Sequence, residues 1–264
     1  MDRDVILIHG MWCTAANWSR VRGLLEASGL RCHAPSLPHH KVGTVDQAVG
    51  AQSLRDYRKF LLDYIRGLKL KQPPIIIGHS MGGLLAQQIA AELQPAALVL
   101  LTPAPQAGIN GLRVSNLVAF AKAFARPAFW RRPHIPSPAR AASSAFNGVP
   151  PERHRAIYGG LVQESGAAAA EIGFWFVDPS RAARVDVRKI SCPAYVVSAG
   201  RDRLTPASVV RKVAAKLDDA TLRHYPGRGH WVIDDGDTDE MIQDLLQWLR
   251  KKLPADSKKR SQRA

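Results

Sequence analysis

The chain has 264 residues, 46% of them hydrophobic and 22% charged, enough apolar material for one large domain or a domain carrying an insertion. Three scattered cysteines, Cys13, Cys32 and Cys192, exclude a disulfide framework and a cysteine zinc site, and no apolar run reaches the ~20 residues of a membrane-spanning helix. The formal net charge of +15 does not mark a nucleic-acid binder. Seven Lys/Arg against one Asp lie in residues 250–264, eleven Lys/Arg against five Asp/Glu lie in 105–188, and neither segment interleaves aromatics as base-stacking surfaces do.

In chain order, residues 5–8 form the first apolar run, directly after Met1-Asp2-Arg3-Asp4 and without a basic leader, so a soluble, cytoplasmic protein is expected. His9-Gly10-Met11-Trp12 follows it, and a second short run covers 30–34. Residues 52–68 place Leu54, Tyr57, Leu61, Leu62, Ile65 and Leu68 at helical spacing. A third run at 74–78 leads into Gly78-His79-Ser80-Met81-Gly82-Gly83 and a helix over 84–93, and a fourth run spans 96–102. Ile75-Ile76-Ile77 and Leu98-Val99-Leu100-Leu101 are apolar at every position, as in strands of a parallel sheet covered on both faces.

The rhythm stops at Pro103 and resumes at Ile190. Between them lie many Pro and Arg residues, helical patches and the aromatic clusters Phe129-Trp130 and Phe174-Trp175-Phe176, which read as a helical insertion between two strands of one sheet. Runs at 194–199 and 221–225 then follow, and residues 241–253 repeat Met241, Ile242, Leu245, Leu246, Leu249 and Leu253 as a covering helix.

Gly78-His79-Ser80-Met81-Gly82 is a G-x-S-x-G pattern in the strand–turn–helix context that such a turn requires. Ser80 is therefore the candidate nucleophile, and the Met81 amide, at a helix N-terminus, can donate to an oxyanion. A serine needs a base, and nine histidines compete for the role. His9, His33, His39, His40 and His79 read as structural; His134 and His154 lie in the inserted segment, and His224 within the last strand. His230, in the loop Gly227-Arg228-Gly229-His230-Trp231 after that strand, is the favoured base. The imidazole needs a carboxylate, and Asp202 in Gly200-Arg201-Asp202-Arg203 follows an apolar strand at the sheet edge where such loops converge. Asp234 and Asp235 are its rivals, read as the start of the final helix. The Met11 amide is the candidate second oxyanion donor.

With these loops in order, the chain resembles the α/β-hydrolase superfamily, in particular its capped, esterase-like members, over residues 5–253. The resemblance implies an α/β fold with a mostly parallel central sheet flanked by helices, lacking the family's first two strands. With it, the chain is expected to divide into a core of 1–104 and 189–253 and a helical cap of 105–188, and the charge run at the C-terminus reads as a basic, disordered tail of 254–264. The resemblance also implies catalysis through a Ser80 acyl-enzyme by Ser80, Asp202 and His230, the chain order that this fold uses. Trp12, Cys13, Trp231, Trp130, Phe174 and Trp175 are then the candidate pocket residues, with Met11, Met81, Phe129, Phe146 and Phe176 near them. A small-molecule ester with an apolar acyl or alcohol group is the expected substrate, with no metal or organic cofactor. Lipase, lysophospholipase, lactonase and perhydrolase activities on the same triad, or ligand sensing on a hydrolase scaffold, are the alternatives.

Overall fold

The computed structural model describes residues 2–253, so the basic tail read at 254–264 lies outside the described residues. In chain order the elements are β1 (Asp4–Ile8), α1 (Ser19–Ala27), β2 (Arg31–His33), α2 (Leu54–Gly67), β3 (Ile75–His79), α3 (Met81–Leu93) and β4 (Ala97–Leu101). The segment that follows carries α4 (Val114–Phe124), β5 (Pro133–His134), α5 (Pro138–Ser143), α6 (Pro151–Gly159), β6 (Glu164–Ser165) and α7 (Gly166–Gly173). The chain then returns through β7 (Ala194–Ala199), α8 (Ala207–Ala214), β8 (Ala220–Tyr225) and α9 (Thr238–Lys252).

Six strands form one sheet in the order β2-β1-β3-β4-β7-β8, and every neighbouring pair is parallel. Alternate residues of each central strand enter different cores. Val5, Leu7, Ile75, Ile77, Val99, Tyr195 and Val197 pack with α1 and α9, while Ile6, Ile8, Ile76, Leu98, Leu100 and Val196 pack with α2, α3 and α8. Because both faces are covered, a period of two gives no polar position, which is why the runs are continuously apolar. The last strand, β8, is an edge strand with no fully buried residue.

Local chemistry sets the helix starts. Ser53 accepts from the Arg55 amide and Asp56 accepts from the Ser53 amide at 2.9 Å, a capping box that begins α2 two residues after the sequence reading put it. Glu171 of α7 reaches the same helix end, accepting from Ser53 Oγ at 2.7 Å and from the Leu54 amide at 2.8 Å.

The segment between β4 and β7 departs from the purely helical reading. Pro133 pairs with Ser165 and His134 with Glu164 in a short antiparallel ribbon, which two-residue strands gave no periodicity to reveal.

Candidate active site

Five loops at the carboxyl ends of the parallel strands converge on one region, the edge where such sheets gather their functional groups. Ser80 follows β3 with φ 54° and ψ −122°, a left-handed backbone that its hydrogen bonds hold. Its amide donates to the Leu101 carbonyl at 3.1 Å, and its carbonyl accepts from Gly83 and Ala104, each at 2.8 Å. Small residues make the turn possible. A Cβ on Gly78 would stand 2.2 Å from the Gly82 carbonyl oxygen, and one on Gly82 would stand 2.1 Å from that of Ile8. The first turn of α3 therefore sits directly on the end of β1.

His230 follows β8 and is buried, with Nδ1 2.8 Å from Asp202 Oδ2. The other carboxylate oxygen, Oδ1, accepts from the Leu204 and Thr205 amides, each at 2.8 Å. Thr205 Oγ1 lies 2.8 Å from Asp202 Oδ2, 2.9 Å from the Thr102 carbonyl oxygen and 3.3 Å from His230 Nδ1. With Nδ1 donating to the carboxylate, the lone pair of His230 is on Nε2. His79, the residue before Ser80, packs its ring 4.9 Å from that of His230 and donates from Nε2 to the His230 carbonyl at 3.0 Å. Burial, and then the neighbouring His230, hold His79 at about 3, so it stays neutral.

The loop carrying His230 is braced by a second buried pair. Arg228 donates from Nε and Nη2 to Asp235 at 2.9 and 2.5 Å, and from Nη2 to the Val232 carbonyl at 2.8 Å. Asp235 thus holds this loop and α9 begins later, at Thr238, correcting the reading of Asp234 and Asp235 as the start of that helix.

On the opposite side, Gly10 abuts the serine: a Cβ there would stand 2.9 Å from Ser80 Cβ. The Leu37 amide donates to His9 Nε2 at 3.0 Å, which leaves the ring proton on Nδ1, and Nδ1 donates to the Gly10 carbonyl at 2.9 Å. The Gly10 carbonyl and the Met11 amide belong to one planar peptide unit, so fixing the first fixes the direction of the second. The Cys13 amide, 3.3 Å from the same carbonyl, adds a second constraint. Burial, followed by the charge on His40, holds His9 at about 3 and keeps it neutral. Met81 is the first residue of α3, where an amide has no carbonyl one turn earlier to bond.

Beneath the His9 loop lies a buried ion pair. His40 Nε2 is 3.1 Å from Glu164 Oε2 and Nδ1 is 2.8 Å from the Pro38 carbonyl, so both nitrogens donate and the ring is an imidazolium. Glu164 also accepts from Tyr57 Oη at 2.8 Å and from the Ser165 amide at 2.7 Å. Burial opposes both charges. The partner's charge and these hydrogen bonds outweigh it, raising His40 above and lowering Glu164 below the ordinary value. Glu164 thereby fastens the inserted segment to the core.

Ser80, Met11, Met81 and Trp12 line one narrow cavity of about 80 Å³ together with Leu204 and Thr205. Its opposite wall comes from the inserted segment: Leu112, Asn116, Phe120 and Phe124 around α4, and Ile172 of α7. Of the pocket residues read from sequence, Met11, Trp12 and Met81 are placed here, and Cys13, Trp231, Trp130, Phe174 and Trp175 are not. Cys13 is buried in the core beside α1 and α9. Trp231 packs edge-on against Phe146, with ring centroids 5.1 Å apart, and borders a hollow with Arg153 and Asp234. Phe129, Trp130 and Phe174 line a separate surface hollow, and Trp175 packs against the other core. The two aromatic clusters lie at a separate surface hollow, with Trp130 and Phe176 exposed, while the cavity wall came from the less conspicuous α4.

The family model "Alpha/beta hydrolase family" matches residues 5–243. A monoacylglycerol lipase of Mycolicibacterium smegmatis is 29% identical, with 93% of this chain and 87% of the relative aligned. A pimeloyl-[acyl-carrier protein] methyl ester esterase of Chromobacterium violaceum is 26% identical over 86% of this chain and 87% of its own length. Among solved structures, a methylesterase from Arabidopsis superposes with a TM-score of 0.71 at 14% identity, covering 94% of this chain and 98% of that one. A match across residues 5–243 on a six-stranded parallel sheet places this chain in the alpha/beta hydrolase family.

Proposed function

We propose that the protein is a serine carboxylesterase acting on small to medium esters with an apolar acyl or alcohol group. The observation that carries this reading is the 2.8 Å His230–Asp202 hydrogen bond, with the His230 carbonyl accepting from the ring of His79, the residue that precedes Ser80 in its left-handed turn. In this reading His230 Nε2 takes the Ser80 proton as Oγ attacks the ester carbonyl carbon. The amides of Met11 and Met81 receive the oxyanion, worth several kcal/mol in such sites. His230 then returns the proton to the departing alcohol, leaving an acyl ester on Ser80. Water, losing its proton to His230, attacks that ester; the acid leaves and Ser80 recovers its proton. Asp202 keeps the imidazole in the required tautomer and stabilises its charged form.

The segment 105–188 serves as the cap: α4 and α7 cover the serine and supply the apolar wall. A fluorophosphonate probe tests the mechanism. Labelling should fall on Ser80, and Ser80→Ala should remove both labelling and hydrolysis of p-nitrophenyl butyrate. Undiminished hydrolysis by Ser80→Ala would refute it.

A further inference from the structure

The inserted segment holds a second cavity, of about 190 Å³, between α4, β5 and α5. Lys122, Arg126, His134, Arg140 and Gln163 supply its polar lining, and none of its lining residues is acidic. Among the described residues, Lys122, Arg126 and Arg140 enter no ion pair. Three buried polar atoms of this lining have no hydrogen-bond partner: His134 Nε2, Arg140 Nη1 and Gln163 Oε1.

The chemistry of those atoms has one sign. Trp12 Nε1 donates to His134 Nδ1 at 3.4 Å, so the ring proton is on Nε2 and that buried atom, in a residue only 8% exposed, is a donor. Arg140 Nη1 is a donor by nature, and a half-turn of the Gln163 amide presents its NH₂ in place of its oxygen. A cavity offering donors and three cationic side chains, with no carboxylate in its lining, is complementary to an oxyanion. Arginine forks match phosphate oxygens geometrically. We propose that this cavity binds a phosphate group, free or as the monoester end of a larger ligand.

The site adjoins the serine cavity without opening into the same lining. Trp12 and Phe120 line the serine cavity, and the His134 ring packs edge-on against both, at centroid distances of 5.7 and 5.6 Å. One layer of three rings therefore separates the phosphate site from the proposed ester site, and the inference stands independently of esterase activity.

The test is thermal unfolding and calorimetric titration of the full chain with sodium phosphate against sodium chloride at matched ionic strength. Phosphate should raise Tm saturably, and Arg126→Gln and Arg140→Gln should each weaken binding about tenfold or more, as expected for loss of a charge-assisted hydrogen bond. Lys122→Gln, a change at an exposed helix position, should also weaken it and guards against an arginine variant that fails to fold. Phenyl phosphate binding as tightly as phosphate would place a soluble monoester in the site. Binding strengthened only on phosphatidic acid vesicles would identify a lipid headgroup as the source. Equal Tm shifts with phosphate and chloride, or unchanged affinity in all three variants, would overturn the proposal.

Discussion

Lowering the pH from about 7 to about 5 should remove about 6 kcal/mol of folding stability through three histidines. His9, His79 and His134 are buried, and burial is the main cause that holds them at about 3, about 3 and about 4. In the unfolded chain each takes up a proton near its ordinary value of about 6.5. Between those values the unfolded state binds more protons than the folded one, so stability falls as the pH is lowered. Each histidine accounts for about 2 kcal/mol over this interval, and the three together rival the net stability of about 5–15 kcal/mol typical of a folded domain. The His40–Glu164 pair runs the other way. His40, raised above its ordinary value, keeps its full contribution at the lower pH and loses it only as the pH rises through that raised value; Glu164, lowered, loses its share only when the pH falls through its depressed one. Urea unfolding followed by tryptophan fluorescence at the two pH values measures the difference. His134→Gln should shrink it by about 2 kcal/mol whatever that substitution costs in itself. A wild-type difference under about 1 kcal/mol would refute the assignment of these histidines as neutral buried groups.

The remaining expectations concern the site. Asp202→Asn should lower kcat by about 10⁴-fold with the fold intact, because the amide leaves His230 in the wrong tautomer; steady-state kinetics with circular dichroism checks both. Thr205→Val, which removes the hydroxyl beside Asp202 Oδ2 and the Thr102 carbonyl, should cost about tenfold in kcat with KM little changed. Phe120→Ala should move the preference of p-nitrophenyl ester hydrolysis toward longer acyl chains, since that ring closes the cavity wall opposite Ser80; an unchanged chain-length profile would count against this cavity as the acyl site. Gly82→Ala should destabilise by about 3 kcal/mol or more. Its methyl would meet the Ile8 and His9 carbonyl oxygens at 2.1 and 2.5 Å, both of them backbone atoms of β1 and its following loop.

Much of the architecture was legible because it rests on local or periodic signals. Continuous apolar runs mark strands covered on both faces, and Leu54, Tyr57, Leu61, Leu62 and Ile65 mark α2 because all five face the core. The G-x-S-x-G turn was legible because its whole pattern lies within five residues, although only Gly78 answers a demand made inside the turn, its Cβ position lying against the Gly82 carbonyl, while Gly82 answers to the Ile8 carbonyl of β1. Asp202 and His230 could be picked out since each lies in a loop directly after a strand.

The supporting groups had no such signal. Thr205 looks like any turn threonine until the fold brings it between Asp202 and Thr102, whose segments are a hundred residues apart. His9 is one histidine among nine, and only the Leu37 amide, held over it by the loop after β2, decides its tautomer and hence its grip on the Gly10 peptide. The aromatic clusters misled for a related reason. Aromatic side chains pack wherever large apolar area can be buried, so their density in sequence does not distinguish a cavity wall from a packing site. The amino-acid order by itself determined the parallel sheet, the elbow and its place between strand and helix, because short-range sterics and the continuous burial of the central strands are written along the chain. Only the tertiary structure decided the hydrogen-bond shell around Asp202 and His230, the buried Glu164–His40 clamp and the wall opposite Ser80, because each depends on groups from distant segments whose meeting no local pattern encodes.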